Sequence, residues 1–447
     1  RDRRGDGRRP PRRPGARAGM RRVALVLPGG GARGAYEVGA LSILLPELER
    51  RGEQVTLLCG TSVGAINAAL LGSLAHLPVA AQVELAIERW RGLERSDVIA
   101  PLLSPRLPLN LGRLVGDALS LPGIRRGSLL DPRPLRRYLD RHMDWEALHR
   151  NVDGGLLDAV CVVATQLATG RPVGFVEAAT PRRLPVSEEL PFMPVRLADE
   201  HVRASAAIPL VFPAVEITTP EPAQGFYTDG ATRLNSPIKP AVELGADHVI
   251  VIGFEPLAAP PVAPVEPPPH LVDVLANMLD GLLVDQVADD MQRLVAINSF
   301  FVEDHRVGTI PSARAYREAR GRRPYRKIAY AMVTPRRRRE LGQLAMTVFE
   351  QRYGGLKAVK HPDLLMLGRL LRGRTDAGGD LLSFLFFDRA YVDALIAAGR
   401  RDARRWLRSH PAFWCADGAH DFDLAPVDAA RERDATSLDE YRALRRT

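Results

Sequence analysis

The chain of 447 residues is poor in cysteine and in aromatic side chains, and outside its first segment it has almost no surplus of charge. Cys59, Cys161 and Cys415 are too few and too scattered for a disulfide framework or a zinc site, which fits a reducing, cytoplasmic compartment. No cluster of Asp, Glu or His occurs at metal-ligand spacing, so the chemistry is expected to need no metal and no cofactor. The net charge of +9 is concentrated at the start, where residues 1–22 hold ten arginines and two aspartates. A body this close to neutral argues against an electropositive groove, and no nucleic acid is expected as partner. Residues 1–21 are rich in Arg, Pro and Gly and lack an apolar h-region, so they read as a disordered basic tail and neither as a signal peptide nor as a membrane span. That tail is either a leader before a functional start at Met20 or an arm for anionic head groups. Residues 54–83 contain no Asp, Glu, Lys or Arg, yet Gly60, Gly64, Asn67, Gly72 and Pro78 break the run. Its strand-like and helix-like halves meet at Gly60, as in a buried strand-turn-helix, so no transmembrane segment is expected.

What is present is alternation. Residues 23–27 read as a buried strand, 35–51 as a helix closed by Gly52, 55–59 as a second strand and 62–75 as a second helix. AVCVVATQL and HVIVIGF are apolar runs of the kind found in sheets covered on both faces. The pattern predicts an α/β layered fold with a mostly parallel central sheet flanked by helices over 22–254. Within it, residues 101–127 read as a loop-rich insertion, a lid or the wall of an acyl pocket. A proline-dense linker at 255–270 leads to a mainly helical C-terminal region at 271–410, with one strand in 327–333 and a helix in 389–405; a polar tail fills 411–447.

The first strand runs straight into PGGGARGAY, where Gly29, Gly31 and Gly34 match G-x-G-x-x-G. Such a loop followed by a helix N-terminus suits a pyrophosphate, and equally the oxyanion of an acyl transfer. A dinucleotide site would place an acidic residue at the end of the second strand. That strand ends instead in Cys59 and Gly60, and Gly60, Thr61, Ser62, Val63 and Gly64 spell G-x-S-x-G between strand and helix. Ser62 is then a candidate nucleophile and the glycine loop its oxyanion hole. For a base, His248 lies inside a strand-like run and His270 in the proline-rich segment, neither within a motif. Asp229, at a strand end before Gly230, is either a plain Asp-Gly turn or a carboxylate base held against the serine.

Four segments, GGGARG, GTSVGAINAA, ASAAIPLVFPAV and DGATRLNSPIKPA, resemble the patatin-like phospholipase family, in particular its bacterial branch. The resemblance covers about 22–254 and extends more loosely to SFLFFDRAYVDALIAAGRRDA. It implies a layered patatin-like fold and a Ser-Asp dyad that hydrolyses acyl esters of phospholipids or other lipids at a membrane surface, through an acyl-enzyme and without a cofactor. Carried over, Ser62 is the nucleophile and Asp229 the general base. Gly29, Gly30, Gly31, Ala32, Arg33 and Gly34 form the oxyanion hole; Gly60, Thr61, Val63 and Gly64 form the elbow, and Gly230 and Ala231 the Asp-Gly element. The same dyad would serve a general esterase or thioesterase on small acyl substrates, and a non-catalytic lipid- or nucleotide-binding module is the other alternative. Several residues have plainer roles beside these. Arg33 also reads as an anchor of its turn, Asn67 as a helix-packing amide, His201 as a structural histidine, and residues 336–339 as a solvated helix start or a lipid-facing patch.

Overall fold

The computed structural model describes residues 21–98, 133–179, 184–187, 189–209, 211–257, 285–299, 327–354 and 377–415. The basic tail, the insertion at 101–127, His270 and the end of the polar tail lie outside the described residues.

VALVL, apolar throughout, forms β1 (Val23–Leu27), buried along its whole length. It leads through a single 3-10 turn into α1 (Gly34–Arg50), and a tight turn at Gly52 returns the chain into β2 (Val55–Thr61) and α2 (Val63–Leu74). The charge-free stretch is therefore a strand followed by helix, as predicted, but the two meet at Ser62, two residues beyond Gly60, because the strand runs on through Thr61. Among the described residues a one-turn helix at Arg95–Val98 and three longer ones follow, α3 (Val79–Arg91), α4 (Arg133–His142) and α5 (Trp145–Asp153). Then come β3 (Ala159–Gln166), β4 (Arg171–Ala178), β5 (Phe192–Pro194), the short helix α6 (Asp199–Ser205), β6 (Val215–Ile217), β7 (Gly225–Asp229), α7 (Ile238–Glu243) and β8 (His248–Ile252). The C-terminal region supplies α8 (Asp285–Ser299), β9 (Ala329–Val333), α9 (Glu340–Tyr353), α10 (Ala377–Leu385) and α11 (Arg389–Ser409).

The sheet order is β5-β4-β3-β2-β1-β8-β9, with β6 and β7 attached to the end of β3. It is mostly parallel, as the alternation predicted: β2, β1, β8 and β9 run with β3, and only the contacts β3–β4, β3–β7 and β6–β7 are antiparallel. Both edges of β3 are used. One carries β4 along the whole strand; on the other, β2 pairs as far as Thr61 with Val163, and β7 continues from Asp229 with Ala164. The C-terminal ends of β2 and β7 thus meet head to head.

The helical C-terminal region is built onto this body. β9 extends the same sheet beside β8, and α11 packs along α1. On α11, Tyr391, Val392, Leu395, Ile396, Gly399, Ala403 and Trp406 are buried at the three- and four-residue spacing of one helix face. The two helices touch through backbone, for a Cβ on Gly399 would collide with the Tyr36 carbonyl. Beside this contact the Tyr36 hydroxyl donates to buried Asp402 at 3.0 Å, which is also paired with Arg401 at 3.0 Å and Arg405 at 2.8 Å. Among the described residues, no helix is long and apolar enough to cross a membrane.

Gly399→Ala is expected to force α1 and α11 apart and cost about 1–3 kcal/mol, the usual range for overpacking. Thermal denaturation followed by circular dichroism reads this as a lowered Tm, and an unchanged Tm would mean the helices have room to spare.

Candidate active site

β2 delivers Ser62 at its tip. The residue has φ 54° and ψ −122°, a left-handed conformation that a non-glycine residue adopts only when its surroundings enforce it. Gly64 makes the turn sharp, because any side chain there would strike the carbonyl of Leu27 at the end of β1. The Ser62 N–H donates to Ser205 Oγ at 2.8 Å, and that hydroxyl donates in turn to the Val163 carbonyl on β3 at 2.6 Å. Ser62 also opens α2, so its hydroxyl lies at the positive end of a helix.

β7 delivers Asp229 from the opposite direction. One carboxylate oxygen accepts the Ala231 N–H at 2.8 Å, capping the turn Gly230–Thr232; the other accepts from Ser62 Oγ at 2.7 Å. The two readings of the Asp-Gly pair, plain turn and serine partner, are thus served by different oxygens of one carboxyl. The side chain is buried, and desolvation pushes its pKa from 3.8 up to about 7, against the smaller opposing pull of the bonds from Ser62 and Ala231.

The glycine loop lies against this pair. A side chain on Gly29 would sit 2.9 Å from Ser62 Cβ, so the loop and the serine are in van der Waals contact. Its backbone donors are not all available. The Gly29 N–H is taken by Asn235 Oδ1 at 2.8 Å, Arg33 N donates to the Gly30 carbonyl at 3.1 Å, and Gly34 N to the carbonyls of Gly31 and Ala32. Of the six residues expected to form the oxyanion hole, the geometry leaves the amides of Gly30, Gly31 and Ala32, for which no acceptor is found among the described residues. The guanidinium of Arg33 reaches α10, where it bonds the Ser383 and Asp380 side chains and, at 3.4 Å, the Asp380 carbonyl.

A cavity opens at Ser62 between α2, α3 and α10. Val63, Ile66, Leu70, Trp90, Phe212 and Phe384 lie among its walls, and its empty space of about 810 Å³ includes the mouth open to solvent. Asn67 packs helices, as its position predicted: its amide donates to the Gly34 carbonyl at 3.0 Å and to Glu37 at 2.7 Å, and accepts from Trp90 Nε1 at 2.9 Å. The Trp90 indole is thereby fixed in the cavity wall.

His248 and His201 sit away from Ser62, whereas His142 on α4 lines the same cavity. His248 is at the N-terminal end of β8 beside Val23, the sheet edge opposite Ser62, with its ring 4.4 Å from that of Trp414. His201 is buried, accepts the Ala198 N–H at 3.1 Å and packs on Phe175; burial pulls its pKa down to about 4. Residues 336–339 form the turn that leads into α9, with the backbone amides of Arg336 and Arg337 bonded to Glu340, and Arg339 turned toward Asp380. Among the described residues no group of His, Cys, Asp and Glu could hold a metal. Sequence reasoning gave no role to Ser205, Asn235 or Ser383, although all three lie inside the quoted segments, and it missed Asp380 altogether.

Residues 25–242 match the family model described as Patatin-like phospholipase. No curated protein matches the chain. Among solved structures it is similar to VipD from Legionella pneumophila, with 14% identity, 88% of this chain and 67% of that one covered, and a TM-score of 0.32. It is also similar to human GIVD cytosolic phospholipase A2, with 12% identity, coverages of 87% and 60%, and a TM-score of 0.31. For ExoU of Pseudomonas aeruginosa, in its complex with SpcU, the values are 18% identity, 88% and 72%, and 0.21.

Burial of Asp229 has a thermodynamic sign. A carboxyl whose folded pKa is raised favours the native state below the unfolded pKa and loses that contribution as pH climbs through about 7, up to about 4 kcal/mol for this displacement. Asp229→Asn should therefore raise the Tm relative to the parent at pH 8, with the gap closing toward pH 4. Equal Tm differences at both pH values would show that the carboxyl is not desolvated.

Proposed function

We propose, on the premise that residues 25–242 are a patatin-like phospholipase domain and the protein a lipid acyl hydrolase, that Ser62 is its nucleophile and Asp229 its general base. The observation that carries this reading is the 2.7 Å hydrogen bond from Ser62 Oγ to a buried carboxylate with a pKa near neutral. As Oγ attacks the ester carbonyl carbon, Asp229 takes the hydroxyl proton and the carbonyl π pair moves to oxygen. The amides of Gly30, Gly31 and Ala32 are the donors for that oxyanion, and each such donor is typically worth about 10²–10³ in rate. Asp229 then gives the proton to the alcohol oxygen as the C–O bond breaks, leaving an acyl group on Ser62. Water attacks the acyl carbon, Asp229 accepts its proton and returns it to Oγ, and the free acid departs. No histidine takes part.

The substrate class follows from the cavity. Its walls beside Ser62 are apolar from Val63 to Phe384, which favours a lipid acyl chain over a small or polar acyl group. An interfacial substrate accords with the rim of the same sheet edge. Leu167, just past β3, is 53% exposed and Phe226 on β7 36% exposed, and the two are joined by a Leu167 N–H to Phe226 carbonyl bond of 2.9 Å. Phe226 lies three residues before Asp229 along β7, about 10 Å at the usual strand rise. The rim is suited to dip into a lipid surface while the dyad stays above it.

Ser62→Ala should abolish labelling by a fluorophosphonate probe, and Asp229→Asn should lower kcat by about 10²–10⁴-fold with circular dichroism unchanged. Persistent labelling of Ser62→Ala, or an equal loss from His248→Ala, would sink the dyad. Because the carboxylate form is the base, kcat/KM of the parent should rise with pH to a plateau with a midpoint near 7.

The double substitution Leu167→Asp and Phe226→Asp should cut binding to phosphatidylcholine vesicles by about tenfold or more, since burying each such side chain is worth about 1.5–3 kcal/mol. Hydrolysis of a short soluble ester should be unchanged. Vesicle co-sedimentation reads the first, and binding equal to the parent would remove the rim from the interface.

A further inference from the structure

We infer that α10, which lies outside the matched segment, is the anchor of the oxyanion loop, and that Asp380 is a positioning residue acting on Gly30, Gly31 and Ala32 through Arg33. The inference rests on the reading of that loop as the oxyanion donor.

Arg33 follows the last of the three free amides directly, and its side chain is wholly removed from solvent. A guanidinium cannot shed its proton in such a place, so it must be compensated. Asp380 Oδ1 accepts from Nη2 at 3.0 Å, Ser383 Oγ accepts from Nε at 2.7 Å, and the Phe384 ring lies under the cation at 4.1 Å from its centroid. All three partners stand on one face of α10, and Asp380 is itself buried. The second oxygen of Asp380 faces Arg339 Nε at 3.1 Å. The backbone N–H of Arg339 donates to Glu255, just beyond β8, at 2.9 Å. The loop is thereby tied to α10, to the start of α9 and to the end of the central sheet.

The same helix touches the loop's backbone. Gly31 has φ 56°, and any side chain on it would collide with the Phe384 carbonyl, so α10 and the loop fit only at glycine distance. Phe384 and Leu385 also line the cavity at Ser62. One element therefore sets where the donors stand and shapes the space into which the acyl group enters. Oxyanion donors work only when they are aimed within a few tenths of an ångström, and a misplacement of about 1 Å costs on the order of 10²-fold in rate. Removing Asp380 takes away the one carboxylate hydrogen-bonded to the buried Arg33 among the described residues, a loss relieved by moving the loop or admitting water.

The test uses the full chain carrying Asp380→Ala, Asp380→Asn or Asp380→Glu. Hydrogen exchange is followed by mass spectrometry on a peptide covering residues 28–36 and, as internal control, on one from β3. The rate of fluorophosphonate labelling and separate kcat and KM values on a soluble ester are measured per folded molecule. For Asp380→Ala we expect faster exchange at 28–36 with β3 unchanged, slower labelling, and kcat lowered about 10–100-fold with KM within twofold. Asp380→Glu should recover most of kcat. Should Asp380→Ala not fold, Asp380→Asn, which keeps an acceptor for Arg33 but no charge, carries the same comparison. Unchanged exchange at 28–36, or a loss of activity explained entirely by a smaller folded fraction, would overturn the inference. If the parent neither labels nor hydrolyses, the catalytic reading fails, while the exchange measurement still decides whether Asp380 anchors the loop.

Discussion

Everything at the site depends on one strand edge being shared. β3 accepts β2 along the first part of one edge and β7 along the rest, and the two arrive from opposite directions. Their last residues, Thr61 against Val163 and Asp229 against Ala164, are neighbours in register, so the serine turn and the aspartate turn must come together. The register of a ladder moves in whole residues and alternates faces, so a slip of one position would turn Asp229 away from Ser62 altogether. The 2.7 Å contact is therefore fixed by backbone pairing before any side-chain preference acts. Ser205, which spans the gap between the Ser62 amide and the Val163 carbonyl, reinforces the junction from the third side.

The second constraint is electrostatic, and it opposes the first. Bringing Asp229 to the serine buries a carboxyl with just two donors, Ser62 and Ala231, which is too few to offset its desolvation. The raised pKa is the trace of that imbalance. A well-solvated aspartate would stabilise the fold more and would be a poor acceptor for a serine proton. Site and stability pull apart here, and the apolar core around β1, β2 and β3 makes up the difference.

Much of this was legible in the sequence because it is local. VALVL, VTLLCGT and HVIVI announce buried strands by composition, and G-x-S-x-G places Ser62 on a turn because a strand precedes it and an uncharged helix follows. β4, β5 and β6 were not legible: RPVGFVEA carries proline and glycine, and FMP and VEI are too short to show a period. The roles of Asn235, Ser205 and Asp380 were not legible either, since each acts across more than a hundred residues of chain. The Gly29–Gly34 loop shows the difference within one motif. Its glycines mark where the backbone must approach the serine, but which amides remain free is decided by Asn235 and by the turn's own carbonyls. The direction of Arg33 was likewise set by partners near the other end of the chain.

The separation of 347 residues between Arg33 and Asp380 also bears on how the protein is made. In vectorial synthesis the Ser62 turn and the Asp229 turn leave the ribosome well before α10 exists, and Arg33 lacks the Asp380 carboxylate in the interval. A nascent chain therefore carries Ser62 and Asp229 while the Gly29–Gly34 loop is still untethered. The packing of the Gly29–Gly34 loop against α10 is therefore completed only after more than three hundred further residues have been added, so this corner of the fold closes well after the strands that carry Ser62 and Asp229 have formed.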